Sequence, residues 1–588
     1  ALNSRTASVA FRGNRPIIER LLIDDWDSGI EGGGTDPVVE LYDPVAGQLY
    51  RSDTDEVVLS SRLRSSGEAA VTYVVEAGVP NAPSVSFDVR FALSFHTLTI
   101  SVLSIHETAN LQLVSVTLGS LISVSSDNRS SRLLIPTHGG RIVDPSAAGF
   151  GERYHPYNWV QDSFCQVGAV YNGSLIAVLT VRSVDDQMHS FVGRSDGEKI
   201  AGLGVCFTHR YTSADPAYRH RGRRGSVRGT RPAPGPSAAD SFVAHEESAV
   251  TIVLSKQKYP QPSKGWIQAA EIIRERLPKR KSRLYRDRFI SKLYLGDPTS
   301  DEIMTFADAL ELIRRFHTRT GGAGHITYLV GFQHTGHDTG YPDVFTANTK
   351  AGGHEELVKL ISEAERFGAT VSFHDNFDDA YRSSPLWDPA DIAIDNTGEL
   401  LRGGVWNGEQ AYWISMPGYA EHKVAGRIDR TLELYPINDT YHLDVLTASV
   451  FRIDFRKGTP HGRERDLAAR MSIVRQFAER GIDVSSEACG LPFIGPITFF
   501  WHLVRVPREV YRGDRRVPFT AFVAHGRADY GEGVADKNGL LDSLLYGSFW
   551  TEDIHKSSTF QAMLDAYFLV FCPMNALRDE EMVDYQEL

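Results

Sequence analysis

Near Pro260 the hydrophobic period of this chain changes, and the change decides which folds are open to it. Ahead of it, apolar and polar residues alternate in short runs: VVELYDP, EAAVTYVVEAG, SVSFDVRFAL, HTLTISVLSI, LQLVSVTLGSLISV, QVGAVYNGSLIAVLTVRS, LGVCFTHRYT and SAVTIVLSK. Side chains of a strand point alternately to its two faces, so a period of two is a half-buried strand. Gly, Pro, Asn and Asp punctuate the runs as turns. Many short strands without helical periodicity imply an antiparallel β-sandwich over residues 1–262. One segment breaks the pattern: Arg219 to Asp240 is rich in Arg, Gly and Pro and nearly devoid of large apolar residues. It has too little to bury, which predicts a mobile loop.

Beyond Pro260, helical and strand-like stretches alternate. GWIQAAEIIRERL places Ile267, Ala270, Ile273 and Leu277 on one helical face. SDEIMTFADALELIRRFHTR is read as a helix capped by Ser300. HEELVKLISEAERFG and DLAARMSIVRQFAERG are further helices, the second stopped by Gly481. Between them lie strand candidates starting at His325, Ala369, Ala411, Thr440, Gly481 and Val517. Strand–helix alternation over some 300 residues implies a parallel sheet, and a closed (β/α)8 barrel over residues 263–588 fits the length. An open doubly wound sheet is the rival. No GxGxxG follows a first strand, so a dinucleotide site has no support.

Composition narrows the function. The net charge of -12 argues against a general nucleic-acid binder. Four scattered cysteines, Cys165, Cys206, Cys489 and Cys572, show no metal spacing and read as buried thiols. No run reaches the ~20 apolar residues of a membrane span, and no signal peptide is visible. The expectation is a soluble protein without membrane or nucleic-acid partners. Its compartment and oligomeric state stay open.

Barrel active sites form where strands end at their C-terminal side. The predicted ends there are crowded with polar groups. GFQHTGHDTGYPD carries His334, His337, Asp338 and Asp343; the next strand ends in His374, Asp375 and Asn376. AYWISM brings Tyr412 and Trp413, and VPFTAFVAHGRADY brings His525, Arg527 and Asp529. Asp444 in YHLDVLT and Glu487 in DVSSEACG lie within or just after apolar strands, where an unpaired carboxylate is costly. Alternation sets His442 on the side of Asp444. With one helix between them, the two carboxylates fall on adjacent strands ~4.8 Å apart, near the ~5–5.5 Å of a retaining glycosidase pair. Two other readings stay open: a structural ion pair, and a metal hydrolase using His334, His337, Asp338 and His374. Trp406, Trp413, Trp501 and Trp550 are candidate platforms for sugar rings.

The runs GFQHTGHDTGYPD, GGHEELVKL, FHDNFDDAY, HLDV and SSEACG together resemble glycoside hydrolase families 101 and 129. That resemblance implies a β-sandwich before a β/α barrel and retaining hydrolysis of α-linked N-acetylgalactosamine in oligosaccharides or glycoconjugates. No cofactor and no catalytic metal are expected. The resemblance carries the nucleophile role onto Asp444 and the acid/base role onto Glu487, and sugar contact onto His337, Asp338 and His374. The expected sugar-binding set is completed by His334, Asp375, Trp413, His442, His525 and Arg527. Two segments depart from the families' pattern, HDNFDDAY and the VLTAS after Asp444, so the expected α-glycoside is an α-N-acetylgalactosaminide or one like an α-galactoside. The rival of another class is a carbohydrate-binding protein without turnover.

Overall fold

A computed structural model describes residues 2–4, 6–23, 26–32, 36–80, 83–147, 153–157, 164–195, 198–215, 237–280, 282–503, 514–531, 552–580 and 582–583. The predicted architecture is present: antiparallel sheets first, then an eight-stranded parallel curled sheet with interleaved helices.

Among the described residues the two large N-terminal sheets have ten strands each, beside a two-stranded sheet of Arg210–Thr212 with Ser241–Val243. Alternation does what the sequence requires: Val71, Tyr73, Val75 and Ala77 of Ala70–Gly78 are buried, and so are Leu98, Ile100 and Val102 of Thr97–His106. These residues join one apolar core with Leu113, Val116 and Leu203 from the facing sheet. The second sheet is extended by Arg515–Arg516, which pairs with Arg141–Val143, so the barrel half supplies an edge strand to the sandwich. Helix α1 (Gly265–Arg274) packs on the same sheet. Its first residue must be small, because a Cβ on Gly265 would lie 2.3 Å from the Tyr171 ring.

The barrel strands, in chain order, are β1 (Arg288–Tyr294), β2 (Gly324–Val330), β3 (Ala369–Asn376), β4 (Thr440–Asp444), β5 (Asp483–Ala488), β6 (Phe499–His502), β7 (Asp529–Tyr530) and β8 (Glu552–Ile554), and β1 to β7 are neighbours in that order. β8 pairs with β1 at one end of the sheet and β7 lies at the other. The curl is evident across the interior. The Lys292 ammonium on β1 lies 4.2 Å over the Trp501 ring on β6, and Tyr285 and Tyr328 both hydrogen-bond Thr440 on β4 at 2.8 and 2.9 Å.

The structure corrects several sequence expectations. Helix α2 (Phe306–Thr320) starts later than Ser300: Thr305 is its cap, in a reciprocal box with Asp308. RFISKLY and FFWH form β1 and β6, two strands absent from the sequence-based set. AYWISM is not a barrel strand. Glu409–Trp413 is the middle strand of an antiparallel three-stranded sheet, with Asp379–Tyr381 and Arg402–Trp406, inserted between β3 and β4. VPFTAFVAH is not a strand either. Phe519–Ala524 forms a short helix, every residue of it buried. A short apolar run is ambiguous between buried strand and buried helix, and packing decides. Of the Arg219–Asp240 segment, 219–236 lie outside the described residues. Its end is anchored: Ser237 donates to the Gly398 carbonyl at 3.0 Å, and Asp240 accepts from Tyr42 at 2.7 Å.

Helices α3 (Gly353–Ala364), α4 (Met416–His422), α5 (Val424–Leu434) and α6 (Arg463–Ala478) follow α2, and the halves meet through α6. Asp185, from the sandwich half, accepts the backbone N–H of Arg463 at 2.7 Å and of Glu464 at 3.3 Å. Glu464 in turn accepts from Ser183 and the Val184 amide. A carboxylate over a helix N-terminus satisfies orphan donors and opposes the dipole. No described helix is long and apolar enough to cross a membrane.

Candidate active site

Strand register builds the site. β4 and β5 pair in parallel from Thr440↔Asp483 to Leu443↔Ser486, so the next residues, Asp444 and Glu487, stand side by side where the strands end. On the other flank Asn376 of β3 is opposite Asp444. Both carboxylates are mostly enclosed, with 11% and 13% of their side chains exposed, and both line one cleft of about 1810 Å³. Val445, the next residue, has φ of 47°. That is rare for a β-branched residue and costs roughly 1–3 kcal/mol. It turns the chain sharply out of β4 as it reaches the cleft.

The second layer of the site is imidazole and ammonium. His374 Nε2 lies 3.4 Å from Asp444 Oδ1, and the His374 ring stacks on His442 at 4.9 Å. Burial, then the charge of Lys292, holds both imidazoles well below their usual pKa, so both are neutral at pH 7. Lys292 reaches to 3.7 Å from Glu487 Oε1. For Asp444, burial and then the Glu487 and Asp338 charges push the carboxyl well above the usual range. The Glu487 charge is the second cause of that rise, so the two carboxyls are coupled in their titration.

The cleft walls come from loops. His337 and Asp338 follow β2, with His337 Nε2 3.4 Å from Asp338 Oδ2, and both line the cleft. Trp413 and Trp406 come from the inserted sheet, Trp406 being 47% exposed. Asp378 and Asp379 follow the reversal after β3. Burial alone would raise Asp378, but Arg452 and Arg470 overcome it and hold it ionised. For Asp379 the balance goes the other way. Burial, then the Asp378 charge, raises it to about 7 against the weaker pull of Arg452.

Other predicted residues lie elsewhere. Asp375 points away from the cleft into a buried pair with Arg427 of helix α5 (Val424–Leu434) at 2.5 Å, and accepts from Tyr441 at 2.9 Å. His334 pairs with Asp343 at 3.0 Å and braces its own loop. Gly340 in that loop has φ of 74°, and a Cβ there would strike the His334 ring at 2.1 Å. His442 lies beneath the rim, with Nδ1 2.9 Å from Ser485 Oγ. His525 and Arg527 precede β7, so they sit at the N-terminal end of the barrel, where His525 bonds the Glu580 carbonyl at 2.6 Å. Trp501 is wholly buried inside the barrel, and Trp550 lies outside the described residues. With His334 on Asp343, the four-residue metal set is not assembled. His374, His442 and Glu487 do bring ligand atoms within 4.8 Å of one another, a donor set a divalent ion accepts. The Lys292 ammonium beside Glu487 opposes a second cation there.

Lys292, Asp378 and Asp379 are functional candidates that sequence reasoning misses. The signal for Lys292 is a lysine inside an apolar run, RFISKLY. For the aspartates it is the doubled acid in HDNFDDAY, obscured because the strand pattern ends at Asn376.

A parallel barrel with two acids at adjacent strand ends, under loops bearing aromatic and polar groups, is an arrangement that glycoside hydrolases use. Residues 297–464 match the model of glycoside hydrolase family 101, described as endo-alpha-N-acetylgalactosaminidase. The match includes β2 to β4 with Asp444 and stops short of Glu487. Nearly the whole chain also resembles alpha-N-acetylgalactosaminidase NagBb from Bifidobacterium bifidum. Its Gal-NHAc-DNJ complex superposes with a TM-score of 0.75 at 14% identity, covering 99% of this chain and 94% of that one. Its GalNAc complex gives 0.72 at 14% identity, with coverage of 99% and 94%. At such identity the likeness is one of fold. The resemblance read from the sequence motifs therefore holds, in the family model and in the fold.

Proposed function

We propose that the protein is a retaining α-glycosidase acting on α-linked N-acetylgalactosamine. The observation that carries this reading is the β4–β5 register, which sets Asp444 beside Glu487 in one cleft. Adjacent strands ~4.8 Å apart suit a carboxyl separation of ~5–5.5 Å, which leaves no room for a water between sugar and base. In the first step an Asp444 oxygen bonds to the anomeric carbon as the glycosidic C–O bond breaks, and Glu487 gives its proton to the departing oxygen. In the second step Glu487 takes a proton from water, whose oxygen bonds to the anomeric carbon as the Asp444 ester bond breaks. The pair needs one proton and one charge at rest, which two enclosed neighbouring carboxyls supply. His374 orients Asp444, and Trp413 and Trp406 suit the apolar faces of sugar rings.

One observation favours exchanged roles: Lys292 stabilises the ionised form of Glu487, while Asp444 is the acid pushed upward. Azide rescue separates the two assignments on an aryl α-N-acetylgalactosaminide. With Asp444→Gly, azide replaces the nucleophile and the expected product is the β-glycosyl azide. With Glu487→Ala, azide attacks the glycosyl-enzyme and the product is the α-glycosyl azide. The opposite pattern exchanges the roles. Wild-type activity in both variants, or binding without turnover in the native protein, removes the pair from catalysis.

A further inference from the structure

The cleft is larger than its barrel end requires. At about 1810 Å³ it exceeds the ~300–1,000 Å³ of a small-ligand site, and its far wall is the first N-terminal sheet. The residues on that wall are patterned. Phe191 stands opposite Gly202 and His189 opposite Gly204. A Cβ on Gly202 would come 2.6 Å from the Phe191 ring, and one on Gly204 would come 2.4 Å from His189 Nε2. The two glycines thus let both rings lie over the neighbouring strand. Tyr154, on the edge strand paired with Phe191, lies tilted against His189, ring centres 4.8 Å apart at 37°, and is still 60% exposed. His189 bonds the Gly119 carbonyl through Nε2 at 3.0 Å and leaves the buried Nδ1 without a partner. Along the same wall Arg51 holds Glu40 at 2.7 Å and Asp53 at 3.0 Å, giving donors and acceptors side by side.

An aromatic strip beside mixed charges has the chemistry of a pyranose subsite: C–H faces stack on rings, and hydroxyls bond carboxylates and guanidinium. We propose that Tyr154 and Phe191, backed by the buried His189, form with the Glu40–Arg51–Asp53 group a distal carbohydrate subsite for sugar units of the leaving group. The inference rests on the α-glycosidase reading above, with the terminal sugar at Asp444 and Glu487. It makes the sandwich half part of substrate recognition rather than only a support.

The test is Tyr154→Ala, a surface change that leaves the sandwich core intact. kcat/KM is measured on three substrates with the same terminal α-sugar: an aryl glycoside, an oligosaccharide and a glycopeptide. Without the Tyr154 ring to stack on a sugar face, the oligosaccharide-to-aryl ratio should fall by up to about tenfold, mostly through KM. An unchanged ratio overturns the proposal, and a fall confined to the glycopeptide overturns it in favour of a polypeptide site. If the native protein cleaves none of the three, the α-glycosidase reading fails. The subsite is then tested alone, by calorimetric titration of native and variant protein with the same oligosaccharide. Tighter binding by the native protein keeps the subsite, and equal or absent binding removes it.

Discussion

At Asp379 the site departs from a simple set of ionised carboxylates. Its carboxyl is held at about 7 by burial and by the neighbouring Asp378 charge, against a usual value near ~4. The folded state therefore binds this proton more tightly than the unfolded chain, and stability contributed by the protonated form is lost as pH rises from about 4 through about 7. Asp379→Asn should flatten that part of the profile. The expected result is a thermal midpoint that falls less between pH 4 and pH 7 in the variant than in the native protein. Parallel profiles would show that Asp379 does not carry the proton. Asp444 and Glu487 are legible in the sequence because carboxylates in apolar strands need a reason. Asp375 meets the same test and has a structural reason, Arg427, that only packing reveals. The alternation that sets His442 and Asp444 on one side does not say at what depth each lies, and His442 proves to be below the rim.

Among the elements, α6 ties the halves together. Its N-terminus takes Asp185 from the sandwich, which also accepts from Tyr211 at 2.5 Å. Asp185→Ala removes a charged cap and leaves two helix N–H groups and a buried hydroxyl unsatisfied. A loss of about 2 kcal/mol is expected, read as a lowered denaturation midpoint. An unchanged midpoint would mean water replaces the cap at no cost. Elements with a clear period, such as β2, β3 and α3 (Gly353–Ala364), are readable from sequence. The two segments that sequence misassigns are short aromatic runs. AYWISM has strand composition and is a strand, but its partners are antiparallel neighbours in an insertion. In Phe519–Ala524, burial on all sides settles helix over strand. β7 and β8, of two and three residues, carry too few side chains for any periodicity to show.

For the whole molecule, the order of sheets and barrel follows from the change of period at Pro260, while the cleft between them does not. It depends on how the first sheet faces the barrel rim, which no local pattern encodes. The central claim is that Asp444 and Glu487, side by side on β4 and β5, retain configuration at the anomeric carbon. It is tested most directly by proton NMR of the first sugar released from an aryl α-N-acetylgalactosaminide, before mutarotation. The α anomer should appear first, with the β anomer growing in later. Initial release of the β anomer would contradict double displacement at this pair.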